Sequence, residues 1–159
     1  VQAPGEQTVS ILSDELSKPQ YASLSDQAAA DAINAKTVVV RRPAELWRVK
    51  QLLIEQGIWG SLKVAVRKSD TPDAVYGLCV SVIDWIDDPS GKVQTVDVDL
   101  PSVQAMLAGL VQVGIGTQAN VAALSALANT DTRWVDSVGI GTVGDGSVKS
   151  AREEIGVTI

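Results

Sequence analysis

TPDAVYGLCVSVIDWIDD, residues 71–88, is either a long strand or a helix, and the rest of the architecture follows from which it is. Between Val75 and Ile86 only Gly77, Ser81 and Asp84 are not apolar. On a helix turning about 100° per residue these three fall with Asp88 on one stripe roughly 60° wide. Val and Ile also favour strands, but the length and the single polar stripe decide for a helix. Its remaining surface is apolar, with Val75, Leu78, Val82, Ile83 and Ile86 as core, so it is expected to be buried on nearly all sides. Thr71 is placed to cap it, Pro72 opens it, and Asp87 to Gly91 supply the stop.

Working towards the N-terminus, Ile58–Val66 reads as a short helix with Trp59, Leu62 and Val66 on one face. Pro43 opens a helix over Ala44–Gln56, ended by Gly57. Thr37–Arg42 is a strand, with three consecutive valines. Ser25 and Asp26 start an alanine-rich helix that runs to Asn34 and invites close packing. Val9–Leu16 is a short amphipathic piece, and Val1–Thr8 has the composition of an extended arm.

Working towards the C-terminus, Val93–Leu100 alternates as a strand. Ser102–Val113 and a helix capped by Thr117, with Val121, Leu124 and Leu127 inward, form a helical hairpin. Asp131–Val138 reads as helical. The pentapeptide Val-Gly-Ile-Gly-Thr occurs at 113–117 and at 138–142. Each copy is expected to be a helix-exit turn whose isoleucine plugs the core. The expected fold class is therefore mainly α: a compact multi-helix bundle around a buried central helix, with one or two short strands and an extended N-terminal arm. Residues 1–8 form the arm, and 9–159 a single helical domain.

Composition excludes several functions. The net charge of −6 opposes non-specific binding to nucleic acid, which needs clustered Lys and Arg. Histidine is absent, which removes Ser-His-Asp and Cys-His nucleophile pairs and the commonest transition-metal ligand. The single cysteine, Cys79, excludes an internal disulfide framework. No run is apolar enough to span a bilayer, and VQAPGEQT does not begin as a secretory signal does. A soluble chain in a reducing cytoplasm, or in a particle assembled there, is expected.

Asp97 and Asp99 could in principle bind a hard cation or work as acid and base, but on a strand they share one solvated face. Asp84, Asp87 and Asp88 border a helix end and lack the spacing of a calcium loop. Gly139-Ile-Gly141-Thr-Val-Gly144 matches GxGxxG formally, but a dinucleotide site needs a preceding strand and an acidic residue about twenty positions later, beyond Ile159. No catalytic, cofactor-binding or metal-binding residue is assigned.

Two segments resemble a family of small uncharacterised proteins encoded by tailed bacteriophages. In the first, Pro19, Tyr21-Ala22, Leu24-Ser25-Asp26, the alanines and Ile33-Asn34 follow the family pattern. In the second, Arg133, Val138-Gly139-Ile140, Val143, Val148 and Ala151-Arg152 do. The expected Asp-Pro-Leu-Gly-Arg-Gly is reduced to Lys18-Pro19-Gln20, and Ala-x-Glu-Leu is replaced by Trp134-Val135-Asp136-Ser137. The resemblance covers about a quarter of the chain and brings no catalytic residue with it. It implies a phage gene product without enzymatic activity, structural in the virion at the neck or tail. Such a protein would assemble in the host cytoplasm, as a homo-oligomer and against other virion proteins. A capsid decoration protein is one alternative. A small DNA-binding regulator is another, with Thr132–Val138 and Ser147–Glu153 as a helix-turn-helix.

Overall fold

The computed structural model describes the backbone of residues 4–156 and the side chains of 8–156. The described residues are mainly helical, with nine α-helices and four short strands. The chain divides into two compact units, Arg41–Thr130 and the two flanking stretches Val1–Val40 with Asp131–Ile159. We refer to these as the middle unit and the terminal unit. Each unit has an apolar cluster drawn only from its own residues.

The terminal unit starts with α1 (Pro4–Leu16), so the part of the expected arm that is described, Pro4–Thr8, is helical; Val1–Ala3 lie outside the described residues. Leu12 and Leu16, one turn apart, are both buried. A 3-10 turn (Pro19–Tyr21) leads to α2 (Asp26–Ala35), where the Ser25 hydroxyl accepts from the Ala28 N–H as the expected cap. Ala29, Ala30 and Ile33 are buried, and the short alanine side chains let α2 sit closely against α9 (Asp145–Glu154). α9 presents Val148, Ala151 and Arg152 inward, at i, i+3 and i+4. α1 lies against the same helix, so the first and last helices share one core.

Strand β1 (Thr37–Arg41) forms as expected and pairs with β4 (Asn129–Arg133). The bonds Trp134 N–H to Lys36 O and Arg42 N–H to Ala128 O, at 2.8 Å each, fix the pair as antiparallel. This corrects the helical reading of Asp131–Val138. Only Trp134–Ser137 (α8) is helical there, because Thr130 and Thr132 suit a strand and β1 supplies a partner that local sequence does not reveal.

The middle unit begins with another correction. Ala44–Glu45 is not helical but a two-residue strand, β2, paired antiparallel with β3 (Thr95–Val96), Ala44 opposite Val96. α3 (Leu46–Glu55) starts only after the Leu46 N–H has bonded to Gln94 O. The expected strand over Val93–Leu100 shrinks to β3. α4 (Ile58–Ala65), α5 (Asp73–Asp87), α6 (Pro101–Gln112) and α7 (Gln118–Ala126) follow close to expectation. α7 carries a full capping box, Thr117 and Asn120 exchanging side-chain and backbone bonds.

Helix α5 lies in the core of the middle unit, but on one side only. Cys79, Val82 and Ile86 are buried, and Val75, Leu78, Ile83 and Trp85 are half-buried against the same cluster. Tyr76 remains 47% exposed, and Ala74, Gly77, Ser81 and Asp84 are exposed too. Burial on nearly all sides is thus corrected to an amphipathic helix: α3, α4 and α6 cover one face, and no element among the described residues covers the other. Thr71 does not cap it. Its hydroxyl donates to Ala65 O, and Pro72 takes the cap position.

Both Val-Gly-Ile-Gly-Thr copies form the same turn, one in each unit. Gly114 and Gly139 both have φ of 76°, where a Cβ would be strained. The Gly114 N–H bonds to Val111 O and the Ile115 N–H to Leu110 O; the Gly139 N–H bonds to Asp136 O and the Ile140 N–H to Val135 O. This is the two-bond helix exit that satisfies orphan carbonyls, and each isoleucine then lies against its own unit's core.

Candidate functional site

Each carboxylate singled out in the sequence has a structural partner or faces open surface. Asp99 is exposed and takes a two-pronged bond from Arg41, at 2.7 Å on both oxygens, which holds its carboxyl below the usual aspartate range. Asp97 accepts from the Asp99 N–H. Asp88 has φ of 30°, and its carboxylate stabilises that backbone by accepting from the Ser90 hydroxyl and the Val93 N–H, which lower its pKa. Asp87 is bonded by Lys50 at 2.7 Å and Lys63 at 3.4 Å, and both lysines lower its pKa. The same ammonium groups lie over the Trp59 ring, 5.0 and 4.9 Å from its centre, so one carboxylate and one indole join α3, α4 and α5. Among the described residues no group of three or more His, Cys, Asp and Glu side chains could hold a metal ion.

Gly139 and Gly141 serve the helix exit after α8, and Gly144 takes the cap position of α9. The Ile140 and Gly141 N–H groups both point to Val135 O, and the carboxylate of Asp145 occupies the first turn of α9, where a phosphate would have to sit. The helix-turn-helix reading meets a similar obstacle. Arg152, one of the two basic residues of its would-be recognition helix, is 4% exposed and serves the fold: Nη1 donates to Asp26 at 2.7 Å, Nη2 to Tyr21 O and Leu24 O at 2.8 Å each.

Several residues singled out in the sequence meet through these bonds. Tyr21, Leu24 and Asp26 meet Arg152. Asn34 makes a paired bond with the Val143 backbone, at 2.8 and 2.9 Å. Segments more than a hundred residues apart are thus joined within the terminal unit.

A second polar centre in that unit is Glu15, 3% exposed, which accepts from Lys18, from Lys36 at 2.6 Å and from the Tyr21 hydroxyl at 2.8 Å. Burial works to raise the Glu15 pKa, but the bonds from Lys18, Lys36 and Tyr21 outweigh it and hold the carboxyl below the usual glutamate range. The stabilisation is therefore complete above about pH 4.5 and is lost as pH falls through the lower folded value. Lys36 also lies 4.9 Å from the centre of the Trp134 ring, so the Trp134 indole N–H signal reports on this region by NMR. In a urea titration that signal should lose its midpoint less steeply on acidification in Glu15→Gln than in the parent chain. Equal slopes would exclude Glu15 as the acid-sensitive group.

The middle unit displays apolar surface. Trp47 is 60% exposed and Val93 43%; together they border a cleft of about 240 Å³ backed by Leu46 and Ile86, with Lys50 at its edge. A larger groove of about 790 Å³ runs between α4, the start of α5 and the turn after α6, with Val64, Val75, Val113 and Ile115 among its walls and Lys68 and Asp70 at its rim. The question of whether the tryptophans are core or surface divides: Trp47 is outside, whereas Trp59, Trp85 and Trp134 are half-buried. On α3, Trp47 and Ile54 are both exposed although they are large and apolar. Their spacing held the signal: seven residues apart, they share a stripe about 100° from the buried line of Leu46, Val49 and Leu53.

No helix among the described residues is long and apolar enough to cross a membrane. No family model, curated protein or solved structure matches the chain.

Proposed function

We propose that the chain is a non-enzymatic structural component of a tailed-bacteriophage particle, at the neck or tail, that works by assembling with copies of itself and with other virion proteins. The observation that carries this is the exposed Trp47 beside Val93: a tryptophan out of its own core is a residue type enriched where protein surfaces meet. Among the described residues, seven large apolar side chains left exposed, Trp47, Ile54, Val64, Tyr76, Val93, Leu100 and Val113, are on the middle unit, and one, Val39, is on the terminal unit. By sequence the middle unit has eight basic and nine acidic residues and the terminal unit five and ten. The surface with most apolar residues is thus nearly neutral, which favours contact over repulsion.

The test is mass spectrometry of purified particles of the phage that encodes the chain, with copy number, alongside the solution mass of the purified protein. The chain is expected in particles in multiple copies, and Trp47→Ser is expected to reduce its incorporation while the NMR signals of the other three indoles stay in place. A strictly monomeric protein absent from particles would overturn the reading. A copy number matching the capsid lattice would move it from neck or tail to the capsid surface.

A further inference from the structure

We infer that the middle unit, Arg41–Thr130, is a self-contained insert, and that the terminal unit folds around its own contacts whether or not the insert is folded. The inference does not rest on the assembly reading. Each unit ties its own ends together. At the start of the middle unit, the Arg41 guanidinium bonds to Asp99 on both oxygens, to Asn129 at 2.8 Å and to Ser125 at 2.9 Å, and the Arg42 N–H bonds to Ala128 O. Its beginning is thereby held to its end by residues that all belong to it. In the terminal unit the corresponding closure is the Trp134 N–H to Lys36 O bond, followed by the Asn34 bonds to Val143 and the Ser13 hydroxyl bonds to Ala151 O and Glu154.

The cores have the same property. Val49, Leu53, Leu62, Val82, Leu107 and Leu110 belong to one cluster, and Leu12, Ile33, Val135, Val143, Val148 and Ala151 to the other. At about 90 and about 70 residues, both units lie in the size range in which single domains fold without disulfides. β1 and β4 are paired, and the Trp134 N–H to Lys36 O bond holds the two segments of the terminal unit together. A two-residue Asn-Gly turn, the favoured short hairpin connection, could therefore replace the insert.

The experiment uses the full chain and reads the units separately. The indole signals of Trp47, Trp59 and Trp85 report on the middle unit and that of Trp134 on the terminal unit. Under urea, Leu53→Ala is expected to reduce the folded-to-unfolded ratio read from the first three by roughly tenfold or more while leaving Trp134 unchanged, and Val148→Ala to do the reverse. Signals that shift together with either substitution would overturn the inference. A second variant joins Val40 to Thr130 through Asn-Gly; it is expected to keep a dispersed Trp134 signal, and collapse of that signal into the unfolded position would count against autonomy of the terminal unit.

Discussion

Arg152→Ala is expected to destabilise the terminal unit by about 3–5 kcal/mol, the usual cost of removing one partner from a buried ion pair. The side chain is 4% exposed and serves three acceptors at once. Asp26 is partly exposed and can recover water once the arginine is gone. Tyr21 O and Leu24 O would lose a charged donor, the bond to Tyr21 O being buried, and each orphaned carbonyl costs about 1–3 kcal/mol. Arg152→Lys should lose less, since the ammonium keeps its charge but lacks the planar fork that spans a carboxylate and two carbonyls. Urea unfolding read at the Trp134 indole measures both. Equal and small effects, under about 1 kcal/mol, would show that the guanidinium geometry does not matter.

Leu62→Ala should destabilise the middle unit by about 2–5 kcal/mol. Leu62 is fully buried on α4, the helix packed between α3 and α5, so its loss leaves a cavity that several elements would have to close together. Two residues further along the same helix, Val64 is 51% exposed, and Val64→Ala should stay within about 0.5 kcal/mol. The contrast separates burial from helix propensity, because both substitutions put alanine into one helix. Urea midpoints read at the Trp59 indole, on that helix, decide it; comparable losses for the two would mean that the α4 register is wrong.

The helices were legible because their signals are local. Thr117 with Asn120, Ser25 with Asp26, and the two Gly-Ile-Gly exits lie within a few residues of the ends they mark. The regular apolar spacing of α6 likewise needs no knowledge of its partner. β2 and β3 were illegible for the opposite reason. Ala44 becomes a strand residue only because Val96, some fifty positions away, is opposite it, and Pro43 before it suits a helix start equally well. The same holds for Asp131–Arg133, whose polar sequence becomes a strand beside β1.

Burial was partly legible. The apolar content of α5 was clear, but apolar residues need not be inside, and Tyr76 and Trp47 show that surplus on the outside. At the level of function, the aspartates drew attention because they cluster in sequence, whereas Glu15 and Arg152, the two buried charges among the described residues, do not. Glu15 gathers Lys36 from 21 residues away, and Arg152 gathers Asp26 from 126. Nothing in either one's immediate neighbours announces it, so the division into two units, which these contacts help define, could not be read from the sequence alone.

The pairing of the first helix with the last has a consequence for the order in which the protein is made. On the ribosome, everything from Arg41 to Thr130 is synthesised before α9. Helices α1 and α2 must wait: Leu12, Ala29 and Ile33 meet Val148 and Ala151 only after α9 has emerged. During that interval α1 and α2 have an uncovered apolar side, and a chain cut short before α9 would carry Leu12, Ala29 and Ile33 without the Val148 and Ala151 that cover them.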